Sequence, residues 1–452
     1  MKKRTPKKLT PIRPLNSLTN PNAAGVDIGS TQIHVCVPLD RDPEYVRIFE
    51  TFTCALNELR DWLLQCRIDN VAMEATGIYW IPLYEILDAA GIKCVLINPR
   101  QIKRDKKTDI LDCQLIQQWH SYGLLNGSFR PENQTCSLRS IIRHRSGLIR
   151  DRSQHIQHMQ KSLHQMNLQL DNVISDITGK TGLEILRCIV AGQQNPKELA
   201  KLRDHRCRSS QQEIEKSLEG NYRTEHLFTL QQALYLYDTY TDLIVKCDQK
   251  LESLYKELAV NTPEMKALPS KLKKAKKTKD SPSYDLQSLL LRLYGVDLTQ
   301  IDGISSLTAQ VAFSEIGPNV DAFPTVKCFT RWLRLSPDNK ITGGRVISAQ
   351  PQKNKNKLSL ALRIAASSLA SSRSPLGDHY RKQRVRHGAL KANAICAHKL
   401  ARIIYFLVKY KTQFDPTILQ QQTLRDREYA IKKLMNKANK LGFTLTPTLR
   451  KQ

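Results

Sequence analysis

Two aspartates stand three residues apart in "KKTDILDCQL", residues 106–115, directly after a pair of lysines. Ile110, Leu111, Leu115 and Ile116 give the stretch helical spacing, so Asp109 and Asp112 are neighbours on one face. Like charges placed this way repel unless something positive sits between them; an ordinary solvated helix start is the plainer account. Two further acids sit in unfavourable places. Asp27 falls in the middle of an apolar strand in "AAGVDIGSTQIHVCVPLD", and Glu74 closes the apolar run of "DNVAMEATG". A lone acid in such a strand is costly unless it is paired or holds a metal. Each of the four has a structural explanation of its own. Together they make a candidate carboxylate cluster, of the kind that takes hard divalent cations such as Mg²⁺. Two ions about 4 Å apart at such a cluster can activate a nucleophile and stabilise a leaving oxygen at a phosphodiester. Lys106 and Lys107 are then placed to hold the incoming phosphate backbone.

The composition points to the same class of partner. The 452 residues carry 70 Lys and Arg against 42 Asp and Glu, a formal net charge of +28. That excess favours a polyanion, and nucleic acid is the commonest; a purely structural basic protein fits the charge as well. The eleven cysteines show no CxxC spacing. They read as reduced thiols of a cytosolic protein, with neither a zinc site nor a disulfide framework. No apolar run is long enough to span a bilayer. "GKTGLEILRCIV" has the wrong spacing for a phosphate-binding P-loop, which argues against an ATPase.

The elements that must position these residues follow from periodicity. The alternation around Asp27, then Ile33, Val35 and Val37, predicts a two-stranded hairpin with a Gly-Ser turn. "DNVAMEATG" reads as a strand, "IYWIPLYEILDAAGI" as a helix stopped by Gly91, "KCVLINP" as a strand and "KKTDILDCQLIQQWHSYGLL" as a helix. The order hairpin, strand, helix, strand, helix is that of an α/β domain with a mixed sheet.

The expected organisation is a basic disordered arm over 1–22, a catalytic domain over 23–130 and a helical middle over 131–262. A basic linker over 263–284, a mostly α C-terminal domain over 285–415 and a basic tail over 416–452 complete it. In the middle, Leu138, Ile142, Ile149, Ile156, Met159, Leu163, Met166 and Leu170 form a coiled-coil-like stripe, with Arg145 and Arg152 in its remaining seam positions. It reads either as a core-facing helix within one chain or as an oligomerisation helix whose arginines set register or meet nucleic acid. "LTQIDGISSLTAQVAFSEIG" reads as a helix-hairpin-helix segment or a plain helical turn. Beyond it, Pro337, Asp338 and Asn339 make a turn, Gly343 and Gly344 free the backbone for close approach, and Arg345 adds positive charge.

"GVDIG", the acid of "MEATG", "NPRQIKRDKKTD" and "TDILDCQ" resemble the N-terminal domain of the DEDD-type insertion-sequence transposases, a Piv-related family. That domain is similar to the Holliday-junction resolvase RuvC and has an RNase H-like fold. "MNLQLDNVISDITGKTG" and "GNYRTEHLFTLQQALYLYD" resemble the subgroup with a long middle segment. The resemblance implies an enzyme that cleaves and transfers DNA strands, with Asp27, Glu74, Asp109 and Asp112 as its four acids and Mg²⁺ as cofactor. It further implies DNA partners at the element ends and target, a structured guide RNA, and a homo-oligomer, dimer or tetramer, whose site is composite across subunits. The family's nucleophile is a serine before two glycines; the matching position here is Thr342, in "NKITGGR", a departure from the pattern. Lys340 and Arg345 flank it, and Ser348 is a nearby alternative hydroxyl. Two other classes remain: a structure-selective endonuclease of the junction-resolvase type, and a non-enzymatic nucleic-acid-binding protein, against which four acids argue because they repel DNA without a metal.

Overall fold

The computed structural model describes residues 18–75, 77–101, 108–260, 278–337, 339–348 and 356–444. The chain divides into two compact units, Met1–Arg130 and Pro131–Gln452. The first unit is built on β1 (Ala23–Ile28), β2 (Gln32–Cys36), β3 (Val46–Glu50), β4 (Asn70–Glu74) and β5 (Lys93–Ile97). Its sheet order is β3-β2-β1-β4-β5. β2 runs antiparallel to both of its neighbours, β1 and β3, and β1, β4 and β5 run parallel.

Side-chain alternation decides what covers each face. Val26, Ile28, Ile33, Val35, Val71 and Met73 bury against Leu59 and Leu63 of α1 (Thr53–Gln65) and Leu83 and Leu87 of α2 (Trp80–Ala89). The opposite face presents Ala72 and Ile97 to Ile116 of α3 (Asp109–Ser121). Gly25 lies on that face, and a Cβ there would stand 2.2 Å from the Gln117 nitrogen and 2.3 Å from the Cys113 carbonyl oxygen. Only a residue without a side chain lets the helix lie this close. Gly25→Ala forces backbone against backbone, so it should destabilise the first unit by about 3 kcal/mol, the upper end of core overpacking. Thermal unfolding checks this; an unchanged midpoint would contradict the close approach.

The mixed sheet, the Gly-Ser hairpin turn and the strand and helix order after it are as expected, but β3 and α1 were not. Nor do residues 19–22 behave as part of a disordered arm. The Thr19 and Asn20 amides donate to the Ser121 carbonyl at 2.8 and 3.0 Å, and Asn20 Nδ2 donates to the His120 carbonyl at 2.7 Å. Residues 1–17 lie outside the described residues.

The second unit begins with a long helix, α4 (Asn133–Gln165). Short helices α5 (Leu170–Val173), α6 (Lys180–Val190), α7 (Pro196–Ala200) and α8 (Gln211–Ser217) follow, then a second long helix, α9 (Thr224–Val260). The apolar stripe of α4 is buried within this chain: Met159 and Leu163 join Leu230, Ala233 and Tyr237 of α9 in one core. The seam arginines also have partners here. Arg145, 6% exposed, donates to both carboxylate oxygens of Asp248 on α9, at 2.6 and 3.1 Å, and to the Asp280 carbonyl. Arg152 donates to Asp280 Oδ1 at 2.6 Å. The structure thus gives these two arginines intrachain carboxylates rather than leaving them open to nucleic acid, and it holds the last part of the expected linker, around Asp280, against α4; residues 261–277 lie outside the described residues. Removing one partner of a buried pair leaves the other charge uncompensated. Asp248→Ala should therefore cost about 3–5 kcal/mol in chemical denaturation, and a loss below about 1 kcal/mol, typical of a surface pair, would contradict it.

The remaining helices are α10 (Leu286–Tyr294), α11 (Ser306–Ile316), α12 (Val326–Trp332), α13 (Lys357–Ser368), α14 (Pro375–His387), α15 (Ala389–Tyr410) and α16 (Pro416–Lys440). A small hairpin of β6 (Lys340–Thr342) and β7 (Arg345–Ser348) stands between α12 and α13. Gly303, between α10 and α11, has φ +86°, and a Cβ on it would meet the Ala365 carbonyl of α13 at 2.8 Å. The segment expected as a basic tail is helical as far as Lys440. No described helix is long and apolar enough to cross a membrane.

Candidate active site

Three elements carry the four acids to one end of the sheet. Asp27 is the fifth residue of β1 and Glu74 the last of β4. The two strands run parallel with Gly25 beside Ala72 and Val26 beside Met73, so Asp27 and Glu74 follow at the same level. Both alternate onto the face that α3 covers. Along β1, Gln117 Nε2 donates to the Ala23 carbonyl at 3.3 Å, and Gly25 meets both Gln117 and Cys113. The helix therefore runs antiparallel to β1, and its first turn, with Asp109 and Asp112, points toward the Asp27 end. Thr108 caps that turn through its hydroxyl, which accepts from the Leu111 amide.

The two aspartates of α3 differ in environment. Asp109 is exposed and Asp112 is 1% exposed. Next to Asp112, Cys113 is buried. Burial pushes its thiol up to about 12, and the charges of Cys36 and Asp27 add to the rise. That influence of Asp27 agrees with the antiparallel placement. Among the described residues no group of three or more His, Cys, Asp and Glu side chains is drawn together tightly enough to hold a metal ion. Lys106 and Lys107, expected to hold phosphate, lie outside the described residues.

Sequence reading passed over His34. It lies directly across from Asp27 in the β1–β2 pairing and is 8% exposed, so the two side chains share one face. The signal was the hairpin itself, since its short turn fixes which residue faces Asp27.

Thr342 ends β6, and Arg345 opens β7 opposite it. Between them Gly343 and Gly344 have φ of +55° and +76°, the two positive values that a two-residue type I′ turn requires. A Cβ on either glycine would meet nothing within 4 Å. Among the described residues nothing closes on these glycines, and the Thr342 and Arg345 side chains beside them are exposed. Lys340 pairs with Ser348 at the far end of the ladder, so the Ser348 backbone stands further from the glycine turn than that of Thr342.

Comparison with known families agrees with both regions. Residues 24–168 match the IS110-type DEDD model, described as "Transposase", and residues 297–381 match "Transposase IS116/IS110/IS902 family". A comparison with curated proteins returns no match. The first match spans all four acids, and the second includes Thr342 and its two glycines. The chain belongs to the IS110-type DEDD transposases, enzymes that act on DNA.

Proposed function

We propose that the chain cleaves and rejoins DNA strands using Asp27, Glu74, Asp109 and Asp112 as a divalent-metal centre and the Thr342 hydroxyl as nucleophile. The observation that carries this reading is the delivery of four acids from two strand ends and one helix start to a single end of one sheet face. The strand order β3-β2-β1-β4-β5, antiparallel on one side and parallel on the other, supports an RNase H-like, RuvC-like first unit. The donor set is entirely carboxylate oxygen, which suits Mg²⁺. Two such ions, when bound, polarise the phosphodiester oxygens and ease departure of the leaving oxygen.

The chain's own groups do the rest. Thr342 Oγ1 forms a bond to phosphorus as the bond from phosphorus to the leaving strand's oxygen breaks. The threonine proton passes to solvent, and the departing oxygen ends as a hydroxyl. A hydroxyl of the strand to be joined then attacks the same phosphorus and releases Thr342, so the phosphodiester count is conserved. Arg345, exposed opposite Thr342, holds the phosphate and favours the oxyanion, and Lys106, Lys107 and Lys340 add contacts along the backbone.

The net charge of +28 supports a structured guide RNA as a second polyanion. The intrachain pairing of the two long helices supports the coiled-coil-like reading and the Gly303 turn the helix-hairpin-helix one; the working form proposed is a homo-oligomer associated with the nucleoid. The test is to incubate the full chain with end-labelled duplex DNA in Mg²⁺, quench with denaturant and map any protein–DNA adduct by peptide mass. An adduct on Thr342 is expected. Nicked DNA with no adduct would instead assign a junction-resolvase type of endonuclease.

A further inference from the structure

The corner between α14 and α15 carries a surface that the chemistry above does not use. Every residue from Arg384 to Lys391 is exposed. Val385 and Leu390 are 89% and 88% exposed, the highest values among the large hydrophobic residues of the described chain. Gly388, with φ +79°, turns the backbone between the helices, and a Cβ on it would meet nothing within 4 Å. The corner is therefore a projecting tip. Arg384, Arg386, His387 and Lys391, all exposed, flank the two apolar residues along the chain. The two helices contain one acid between them, Asp378, and Arg381 already holds it.

A single exposed leucine needs no explanation. Two nearly bare apolar residues flanked by cations, with no second acid in either helix, ask for a partner that is both apolar and anionic. A protein surface would have to supply carboxylates around an apolar socket. Duplex DNA supplies both parts at fixed spacing: phosphates outside, and a base stack that accepts apolar side chains once a step is opened.

We propose that this corner is a wedge for duplex DNA, in which Val385 and Leu390 enter a base step and unstack it while Arg384, Arg386 and Lys391 grip the flanking phosphates. The inference rests on DNA as the substrate of this family and not on the carboxylate centre. Unstacking costs a few kcal/mol per step, and the phosphate contacts offset it. A strand-exchanging enzyme gains from such an opening, because strands must leave their stack before they change partners.

The test uses the full chain, a mixed-sequence DNA duplex containing a fluorescent adenine analogue, and chelator in place of Mg²⁺, so that no cleavage intrudes. Wild-type protein should brighten the analogue as its base unstacks. Val385→Ala with Leu390→Ala should cut that rise about fivefold or more and leave the salt dependence of binding unchanged. Arg384→Gln with Arg386→Gln and Lys391→Gln should lower the slope of log affinity against log salt by about 2.7, from about 0.9 per phosphate contact. These side chains lie on the surface, where substitution stays within about 0.5 kcal/mol of neutral, so misfolding does not confuse the outcome. An undiminished brightening in the alanine variant, or an unchanged salt slope in the glutamine variant, would overturn the proposal. So would an altered oligomeric state with the DNA response intact, which would assign the corner to a second copy of the chain, or a response to duplex RNA in place of DNA. Failure of the carboxylate reading would look different: brightening preserved, and no cleavage once Mg²⁺ is restored.

Discussion

Thr342→Ala should eliminate the covalent protein–DNA adduct and strand joining together, with DNA affinity unchanged. The expectation comes from the turn. Two glycines with positive φ form the hairpin tip, and the Thr342 side chain beside them is exposed. Threonine is a competent nucleophile once its environment favours the alkoxide, the role proposed for the exposed Arg345 opposite it. The β-methyl restricts χ1. Thr342→Ser removes that methyl and should retain or raise the rate of adduct formation. Ser348 is further from the glycine turn, and Ser348→Ala should change the rate by less than about twofold, as for a residue outside the reacting groups. Adduct formation by Thr342→Ala, or an adduct mapped to Ser348, would move the nucleophile elsewhere. An inactive wild type beside an active Thr342→Ser would show that the methyl itself blocks the chemistry.

Asp112→Asn should lower Mg²⁺-dependent cleavage about a thousandfold or more, the scale on which removing one fixed charge from a phosphoryl-transfer centre is felt. Asp112 is 1% exposed at the start of α3, so its carboxylate meets its surroundings in a fixed direction rather than wandering in water. The amide is nearly isosteric, and the substitution therefore tests charge rather than packing. Binding to duplex DNA, measured in chelator, should stay within about twofold, since affinity for the backbone comes from cations. Cleavage within about tenfold of wild type would remove Asp112 from the centre, because the charge would then contribute little more than 1.4 kcal/mol to the transition state.

The candidate site was largely legible because its residues violate local rules. Asp27 in an apolar strand and Asp109 with Asp112 on one helix face stand out without any structure. Their shared location needed the sheet register and the glycine contact that turns α3 antiparallel to β1, neither of which a single sequence displays. β3 was missed because it buries little: its five residues are half-buried or exposed, so no apolar alternation marks it. The α1 helix has a clear buried face through Leu56, Leu59 and Leu63, yet its N-cap is Phe52 with no side-chain cap, which removes the usual start signal. Arg145 and Arg152 were visible as polar interruptions of a stripe. Their carboxylates lie 103 and 128 residues further along, a separation at which spacing rules carry no information. Val385 and Leu390 look like ordinary apolar helix positions in sequence; only their exposure sets them apart.

The central claim is that four acids from separate elements act as one divalent-metal centre. Its most direct test is a Mn²⁺ titration of the full chain followed by electron paramagnetic resonance, in wild type and in Asp27→Asn, Glu74→Gln, Asp109→Asn and Asp112→Asn. Mn²⁺ takes the same oxygen ligands as Mg²⁺, and the readout needs neither DNA nor turnover. The account predicts saturable binding in wild type, weakened at least about tenfold in each variant, on the scale of losing a charged ligand. Wild-type affinity in all four variants would contradict it.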